Sequence, residues 1–260
     1  MDMKAIFLLL FASTVALFEA HGQTKRALIV NGDDGDLEPN QVSRILELLE
    51  NEGYQVAYLT GPEAIWQNVK TQAQGVNIFI YSGHGSNQGY HDTGGICLNE
   101  RGGIVSSYTL ESEIQLARGA LVVFKSVCGG AGSSASDRHD IGLYYARQRV
   151  SSYAQPFFKM GASAYYADNY SGGIENFLRV MLEGQTLQNA YQQIATKWNQ
   201  IEPEVPMPGH PAMLVGVSSN YTPGKHTVIT TTNGVTKETV VTNYRSYDVA
   251  YAGNPNFKLR

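Results

Sequence analysis

Two stretches decide the fold of this chain: Val76-Asn77-Ile78-Phe79-Ile80-Tyr81-Ser82-Gly83-His84-Gly85 and Ala120-Leu121-Val122-Val123-Phe124-Lys125-Ser126-Val127-Cys128-Gly129-Gly130. Each is an apolar run of strand length that ends in glycines, and each places one reactive side chain, His84 or Cys128, just after the run. Glycine allows main-chain amides to come close to a ligand. Because open α/β sheets bind ligands beyond the carboxyl ends of their strands, the pattern predicts that His84 and Cys128 meet at one sheet edge.

The rest of the chain alternates strand-like and helix-like patterns, which favours right-handed βαβ crossovers. We therefore expect an α/β fold with a mainly parallel central sheet and helices on both faces, which is a three-layer sandwich. The further strand-like runs are residues 26–31, 54–59, 95–98, 161–166 and 212–217. The helix-like segments are residues 40–51, 62–69, 110–116, 144–160, 174–182 and 187–198.

The C-terminal part differs in composition, with four prolines between residues 203 and 211. Beyond them, two β-rich runs flank Asn233-Gly234, a pair that is typical of a tight hairpin turn. We expect an α/β domain over residues 23–218 and a β-hairpin extension over residues 219–260. The pattern leaves open whether this extension is a separate appendage or adds strands to the domain, and what it does.

The N-terminal residues are typical of a secretory signal peptide. Lys4 precedes an apolar stretch from Ala5 to Phe18, and Ala20-His21-Gly22 has the small-x-small pattern of a cleavage site. We therefore expect residues 1–22 to be removed and the protein to be secreted or periplasmic; an uncleaved anchor is the alternative. Neither this stretch nor any later one is long and apolar enough to predict a membrane-spanning helix.

Charge and composition indicate which kinds of molecule the protein binds. The formal net charge is −4 and no basic cluster is present, which argues against nucleic acid. Asp33, Asp34 and Asp36 form an acidic turn whose carboxylates could hold Ca²⁺. The turn lacks a recognisable calcium-loop motif, so we expect no cofactor and no metal, with an ordinary acidic turn as the simpler interpretation.

Cys128 and His84 together have the chemistry of nucleophilic catalysis. A cysteine thiolate can attack a carbonyl carbon, and a nearby histidine can protonate the departing amine and then activate water. The amides of Gly85 and Cys128 are candidates for stabilising the oxyanion. Taken singly, His84 could be an ordinary loop residue and Cys128 a structural thiol. Export also leaves a Cys97–Cys128 disulfide open, although Cys97 itself looks like a buried strand residue.

The segments Ile78–Gly85 and Leu121–Gly130 resemble the two active-site blocks of the caspase-like cysteine peptidases, a group that includes caspases, metacaspases, legumain, clostripain and gingipains. The resemblance covers residues 26–195. It implies a caspase-like sandwich and a cysteine endopeptidase that acts on a protein or peptide, and the signal-peptide pattern leads us to expect a secreted one. By this resemblance His84 and Cys128 are the catalytic dyad, and the amides of Gly85 and Cys128 form the oxyanion hole.

One position departs from the family pattern. Several members have an aspartate two residues before the catalytic cysteine that binds a basic P1 side chain, whereas this chain has Ser126 there. We expect a substrate contact at Ser126 and a substitute acid at Asp168, with a solvated turn aspartate as the alternative for Asp168. Arg138, in the loop after the cysteine, is a candidate site for proteolytic nicking.

Two other functions fit the same residues. The chain could be a catalytically inactive caspase-like module for binding or assembly, or a cysteine amidase or transpeptidase that acts on a non-protein amide. The sequence leaves the P1 preference, the natural substrate, any activation step and the oligomeric state undetermined.

Overall fold

A computed structural model describes residues 24–86, 94–99, 103–137, 140–169, 172–197, 199–222, 226–232, 235–241 and 244–259. The predicted signal peptide and the predicted nicking site at Arg138 lie outside these residues.

The described residues form fourteen strands, six α-helices and one short 3₁₀ helix (Gly61–Glu63). The strands are β1 (Arg26–Asn31), β2 (Gln55–Thr60), β3 (Ile78–Ser82), β4 (Gly85–Ser86), β5 (Gly95–Cys97), β6 (Ile104–Val105), β7 (Ala120–Lys125), β8 (Ala162–Asp168), β9 (Gln200–Ile201), β10 (Val205–Met207), β11 (His210–Thr222), β12 (His226–Thr232), β13 (Val235–Val241) and β14 (Tyr244–Gly253). The helices are α1 (Pro39–Asn51), α2 (Trp66–Ala73), α3 (Ser107–Glu113), α4 (Gly142–Lys159), α5 (Gly173–Leu182) and α6 (Leu187–Ala195).

Five adjacent parallel strands make up the centre of the main sheet, in the order β8-β7-β3-β1-β2. Every residue of β3 and β7 is buried, as expected for strands covered on both faces. Helices α2, α3 and α4 pack on one face, and α1, α5 and α6 pack on the other. The predicted fold class, an α/β sandwich with a mainly parallel central sheet, is confirmed.

Antiparallel strands extend the sheet beyond β8. β14 pairs with β8, β11 with β14, and both β9 and β10 with β11. The predicted hairpin is also present, as the separate two-stranded sheet of β12 and β13 with Thr232 opposite Val235. After this hairpin the chain returns as β14 and inserts between β8 and β11, a placement that the sequence pattern does not predict.

Two helices begin at positions set by side-chain caps. The Ser106 hydroxyl accepts a hydrogen bond from the Thr109 N–H at the start of α3, and the Thr186 hydroxyl does the same for the Asn189 N–H at the start of α6. Helix α3 therefore starts earlier than its apolar spacing predicts. Within the part of the chain that the structure describes, no helix has the length and apolar character needed to cross a membrane.

Phe124 of β7 lies at the centre of an aromatic cluster beneath the carboxyl edge of the sheet. Its ring centroid is 5.4 Å from that of Tyr81, 5.9 Å from that of Tyr153 and 5.3 Å from that of Tyr165. All four side chains are fully buried. The cluster joins β3, β7, β8 and α4, so it couples the strands that carry the two predicted functional loops.

Replacing Phe124 by alanine should lower the free energy of unfolding by about 3–5 kcal/mol, because it removes a fully buried ring and leaves a cavity among rigid neighbours. Urea unfolding measures the loss. The matched control is Tyr108→Ala, since the Tyr108 side chain is 77% exposed; the change there should stay within about 0.5 kcal/mol. A loss below about 1 kcal/mol for Phe124→Ala would contradict the central place of this ring.

Candidate active site

The loops that carry His84 and Cys128 leave two adjacent strands at the same sheet edge. β3 and β7 are parallel neighbours in a register that places Ser82 opposite Lys125. His84 and Cys128 follow these two strand ends directly. The structure therefore brings both predicted catalytic residues to the carboxyl edge of the sheet, where α/β proteins bind their ligands.

The two loops touch each other at Gly85. A Cβ atom at Gly85 would overlap the Tyr153 hydroxyl and would lie 2.6 Å from Val127 Cγ1, next to the predicted nucleophile. The same Tyr153 hydroxyl donates to the main-chain oxygen of Cys128 at 2.9 Å and lies 3.4 Å from that of Ser86. Glycine is needed at position 85 because any side chain would separate the loops.

Two other buried tyrosines bind these loops from below. The Tyr81 hydroxyl donates to the main-chain oxygen of His84 at 2.6 Å and lies 2.8 Å from that of Cys97. The Tyr165 hydroxyl donates to the main-chain oxygen of Gly130 at 3.0 Å. Burial raises the pKa of the Tyr81, Tyr153 and Tyr165 hydroxyls, so they remain protonated donors.

The predicted oxyanion-hole donor at Gly85 points away from the strand that pairs with it. The Cys97 N–H donates to the His84 main-chain oxygen at 3.0 Å, which makes Gly85 and Ile96 a non-hydrogen-bonded pair across β4 and β5. The Gly85 N–H thus points away from β5. Among the described residues, neither this N–H nor that of Cys128 donates to another main-chain or side-chain atom.

His84 is held by the turn after β1. Its N–H donates to the Asp33 main-chain oxygen at 3.0 Å, and its ring Nε2 lies 3.2 Å from Asp34 Oδ2. Asp34 adopts a left-handed backbone conformation, with φ of 51°. Sequence reasoning noted Asp34 only as part of an acidic turn and missed this pairing, because the two residues lie 50 positions apart and meet only through the sheet.

A second acid of the same turn reaches the Cys128 loop. Asp36 Oδ2 accepts from the Lys125 ammonium at 2.8 Å and from the Ser126 hydroxyl at 2.6 Å, and Oδ1 accepts from the Ser82 hydroxyl at 2.9 Å. The Lys125 side chain is only 3% exposed. Burial by itself would raise the pKa of Asp36, but the hydrogen bonds from Lys125 and Ser126 outweigh it and lower the pKa.

Asp168, predicted as a substitute acid for substrate, is instead fully buried. Its carboxylate accepts from the Tyr166 hydroxyl at 2.6 Å and lies against the N-terminus of α5, where a Cβ at Gly173 would overlap it. A helix N-terminus favours a negative charge. The Asp168 main-chain oxygen accepts from the Ser126 N–H at 2.9 Å, so Asp168 supports the Cys128 loop from inside and does not present its carboxylate at the surface.

Both cysteines are free thiols in this structure, and each is partly exposed. Burial, reinforced by the charges of Asp33 and Cys128, raises the pKa of the Cys97 thiol. Cys97 is not the fully buried strand residue that its sequence context predicts.

The acidic turn does not gather its carboxylates around one point. Asp34 faces His84, whereas Asp36 faces Lys125 and Ser126. Throughout the described ranges, no group of three or more His, Cys, Asp or Glu side chains is arranged to hold a metal ion. The carboxylates of Asp34 and Asp36 thus contact two different loops.

The fold and these loops define a class: an α/β sandwich, consistent with a caspase-like architecture, that carries a histidine and a cysteine on adjacent loops at the carboxyl edge of its parallel strands. No family model and no curated protein matches the chain. A solved structure titled "Structure of Protease" is 12% identical over 93% of this chain and 68% of that one, with a TM-score of 0.34. A likeness of this degree says nothing about activity.

Because the pKa of Asp36 is lowered in the folded state, Asp36 contributes stability above its ordinary pKa of 3.8, and this contribution is lost as the pH falls below that value. Asp36→Asn should therefore be less stable than the wild-type chain at about pH 6, and the difference should shrink towards about pH 2. Thermal unfolding across this pH range measures the difference.

The control for this experiment is Glu50→Gln, which removes one exposed acid of α1 outside the cluster. At about pH 6 its free energy of unfolding should stay within about 0.5 kcal/mol of the wild-type value, as is usual for an exposed substitution. A difference between the wild-type chain and Asp36→Asn that stays constant with pH would show that the Asp36 carboxylate does not stabilise the fold through its charge.

Proposed function

We propose that this protein is a secreted or periplasmic cysteine endopeptidase of the caspase-like type, with Cys128 as nucleophile and His84 as general acid and base. The observation that carries the proposal is the placement of His84 and Cys128 just past the ends of adjacent parallel strands, on loops in contact at Gly85. Nucleophilic catalysis needs a nucleophile and a proton-transfer group on a shared, rigid support.

The reaction would proceed in two steps. The Cys128 thiolate attacks the scissile carbonyl, the new S–C bond forms, and the C–N bond breaks as His84 gives a proton to the departing amine. Water, activated by His84, then attacks the thioester carbon; the S–C bond breaks, and the carboxylic acid and the free thiol are released. The contact of Nε2 with Asp34 supports this role, since it orients the ring and leaves Nδ1 for proton transfer.

The oxyanion of each tetrahedral intermediate would accept hydrogen bonds from the N–H groups of Gly85 and Cys128. Both belong to loops whose main chain is held by buried tyrosine hydroxyls. Donors that are fixed before the reaction cost no reorganisation when the negative charge develops, which is why such donors contribute strongly to acyl transfer.

We also propose that Ser126 contacts the substrate and that Asp168 supports Ser126 from inside the protein. The Asp36 carboxylate beside Ser126 supplies the negative charge that the sequence lacks at this point, but Lys125 compensates it at 2.8 Å. Because the charges of Asp36 and Lys125 cancel beside Ser126, we expect the enzyme to prefer uncharged over basic P1 side chains.

Cys128→Ala should lower peptide hydrolysis at least about a thousandfold, because it removes the atom that forms the acyl-enzyme. The measurement is cleavage of fluorogenic peptide libraries sorted by P1 residue. Cys97→Ala is the matched control: it removes the other thiol, keeps the main-chain bonds of that strand, and should retain activity within about threefold. Full hydrolysis by Cys128→Ala would overturn the proposal.

The same libraries test the competing functions. Turnover of non-protein amides but not of peptides would favour an amidase or transpeptidase. No turnover of either class by the wild-type chain would favour a binding module.

A further inference from the structure

The Tyr153 hydroxyl lies between the two functional loops. Tyr153 comes from α4, is fully buried, and its ring meets Phe124 edge-on with an interplanar angle of 72°. Its hydroxyl is 2.9 Å from the Cys128 main-chain oxygen and 3.4 Å from the Ser86 main-chain oxygen. The hydroxyl carries one proton, so the shorter contact, to Cys128, is the principal hydrogen bond.

This arrangement differs from that of the two neighbouring tyrosines. Among the described residues, the Tyr165 hydroxyl reaches Gly130, beyond the nucleophile, and the Tyr81 hydroxyl reaches His84 and Cys97 on the histidine side. Of these three hydroxyls, that of Tyr153 alone contacts main-chain atoms of both the Cys128 loop and β4. The Gly85 Cα packs directly against it, since a Cβ there would overlap the hydroxyl oxygen.

We propose that Tyr153 is a positioning residue for acyl transfer: its hydroxyl fixes the Cys128 main chain against β4, so that the N–H groups of Gly85 and Cys128 converge on one oxyanion. This inference rests on the proposed cysteine-peptidase function. Tyr153 touches neither the substrate nor the reacting atoms. Its hydrogen bond instead sets the spacing between the two donors, and oxyanion stabilisation depends steeply on that spacing.

The test compares two reagents on Cys128 that need no knowledge of the natural substrate. p-Nitrophenyl acetate acylates the thiolate: an S–C bond forms at the carbonyl through an oxyanion intermediate, and p-nitrophenolate leaves. Iodoacetamide alkylates the thiolate by displacing iodide, with no oxyanion. Mass spectrometry of the modified peptide follows each reaction at Cys128 separately from Cys97.

Tyr153→Phe keeps the ring and removes the hydroxyl. We expect the acylation rate of Cys128 to fall at least about tenfold while its alkylation rate stays within about twofold, because only acylation needs the two donors. Gly85→Ala disturbs the contact between Gly85 and the Tyr153 hydroxyl from the Gly85 side. It should also lower the ratio of the acylation rate to the alkylation rate. Equal losses in both rates, or an unchanged acylation rate, would overturn the positioning role.

Tyr191→Phe is the matched control, since Tyr191 is equally buried but lies in the apolar layer on the opposite face of the sheet. It should leave both rates unchanged, and thermal unfolding of each variant shows that the rates are measured on folded protein. A different result would show that the proposed peptidase function itself is wrong. A wild-type Cys128 that reacts with both reagents no faster than in the urea-unfolded chain would overturn the peptidase proposal, and the positioning role with it.

Discussion

Hydrogen bonds from buried tyrosine hydroxyls to the main chain of two glycine-rich loops are the constraint on which the site depends. Tyr81, Tyr153 and Tyr165 surround Phe124 in the core, and their hydroxyls reach the oxygens of His84, Cys128 and Gly130. Each such bond stabilises the fold by only about 1 kcal/mol net, but a buried carbonyl left without its donor costs more. These hydrogen bonds attach the two loops to the packed core of the sheet, although loops are usually the mobile part of an α/β protein.

The turn after β1 adds an electrostatic link between the same loops. Asp34 faces His84, whereas Asp36 holds the buried Lys125 ammonium and the Ser126 hydroxyl. A buried cation requires such a partner, because an uncompensated charge in the interior is strongly destabilising. Asp34 and Ser126 also have positive φ angles of 51° and 56°. Backbone strain of this kind tends to occur at functional sites, where the surrounding contacts maintain it.

Local patterns predicted the five parallel strands and the hairpin, because apolar runs and Asn-Gly are encoded within a few residues. They predicted that His84 and Cys128 share a sheet edge for the same reason. The return of β14 and the pairings of Asp34 and Asp36 depend on contacts between distant segments, so local patterns could not supply them. Asp168 is a case in which the alternation along one strand was overlooked. It lies on the same face of β8 as Ala164 and Tyr166, so its carboxylate points towards α5 and not towards solvent.

In the proposed mechanism, Cys128 reacts as a nucleophile with His84, on the adjacent loop, as its proton-transfer partner. The most direct measurement is the labelling rate of the wild-type chain and of His84→Ala with a peptidyl acyloxymethyl ketone, with the modified residue identified by mass spectrometry. We expect labelling of Cys128 in the wild-type chain and a rate at least about a hundredfold lower in His84→Ala, in keeping with the usual contribution of general acid–base catalysis. Equal rates in the two proteins, or a label on Cys97, would contradict it.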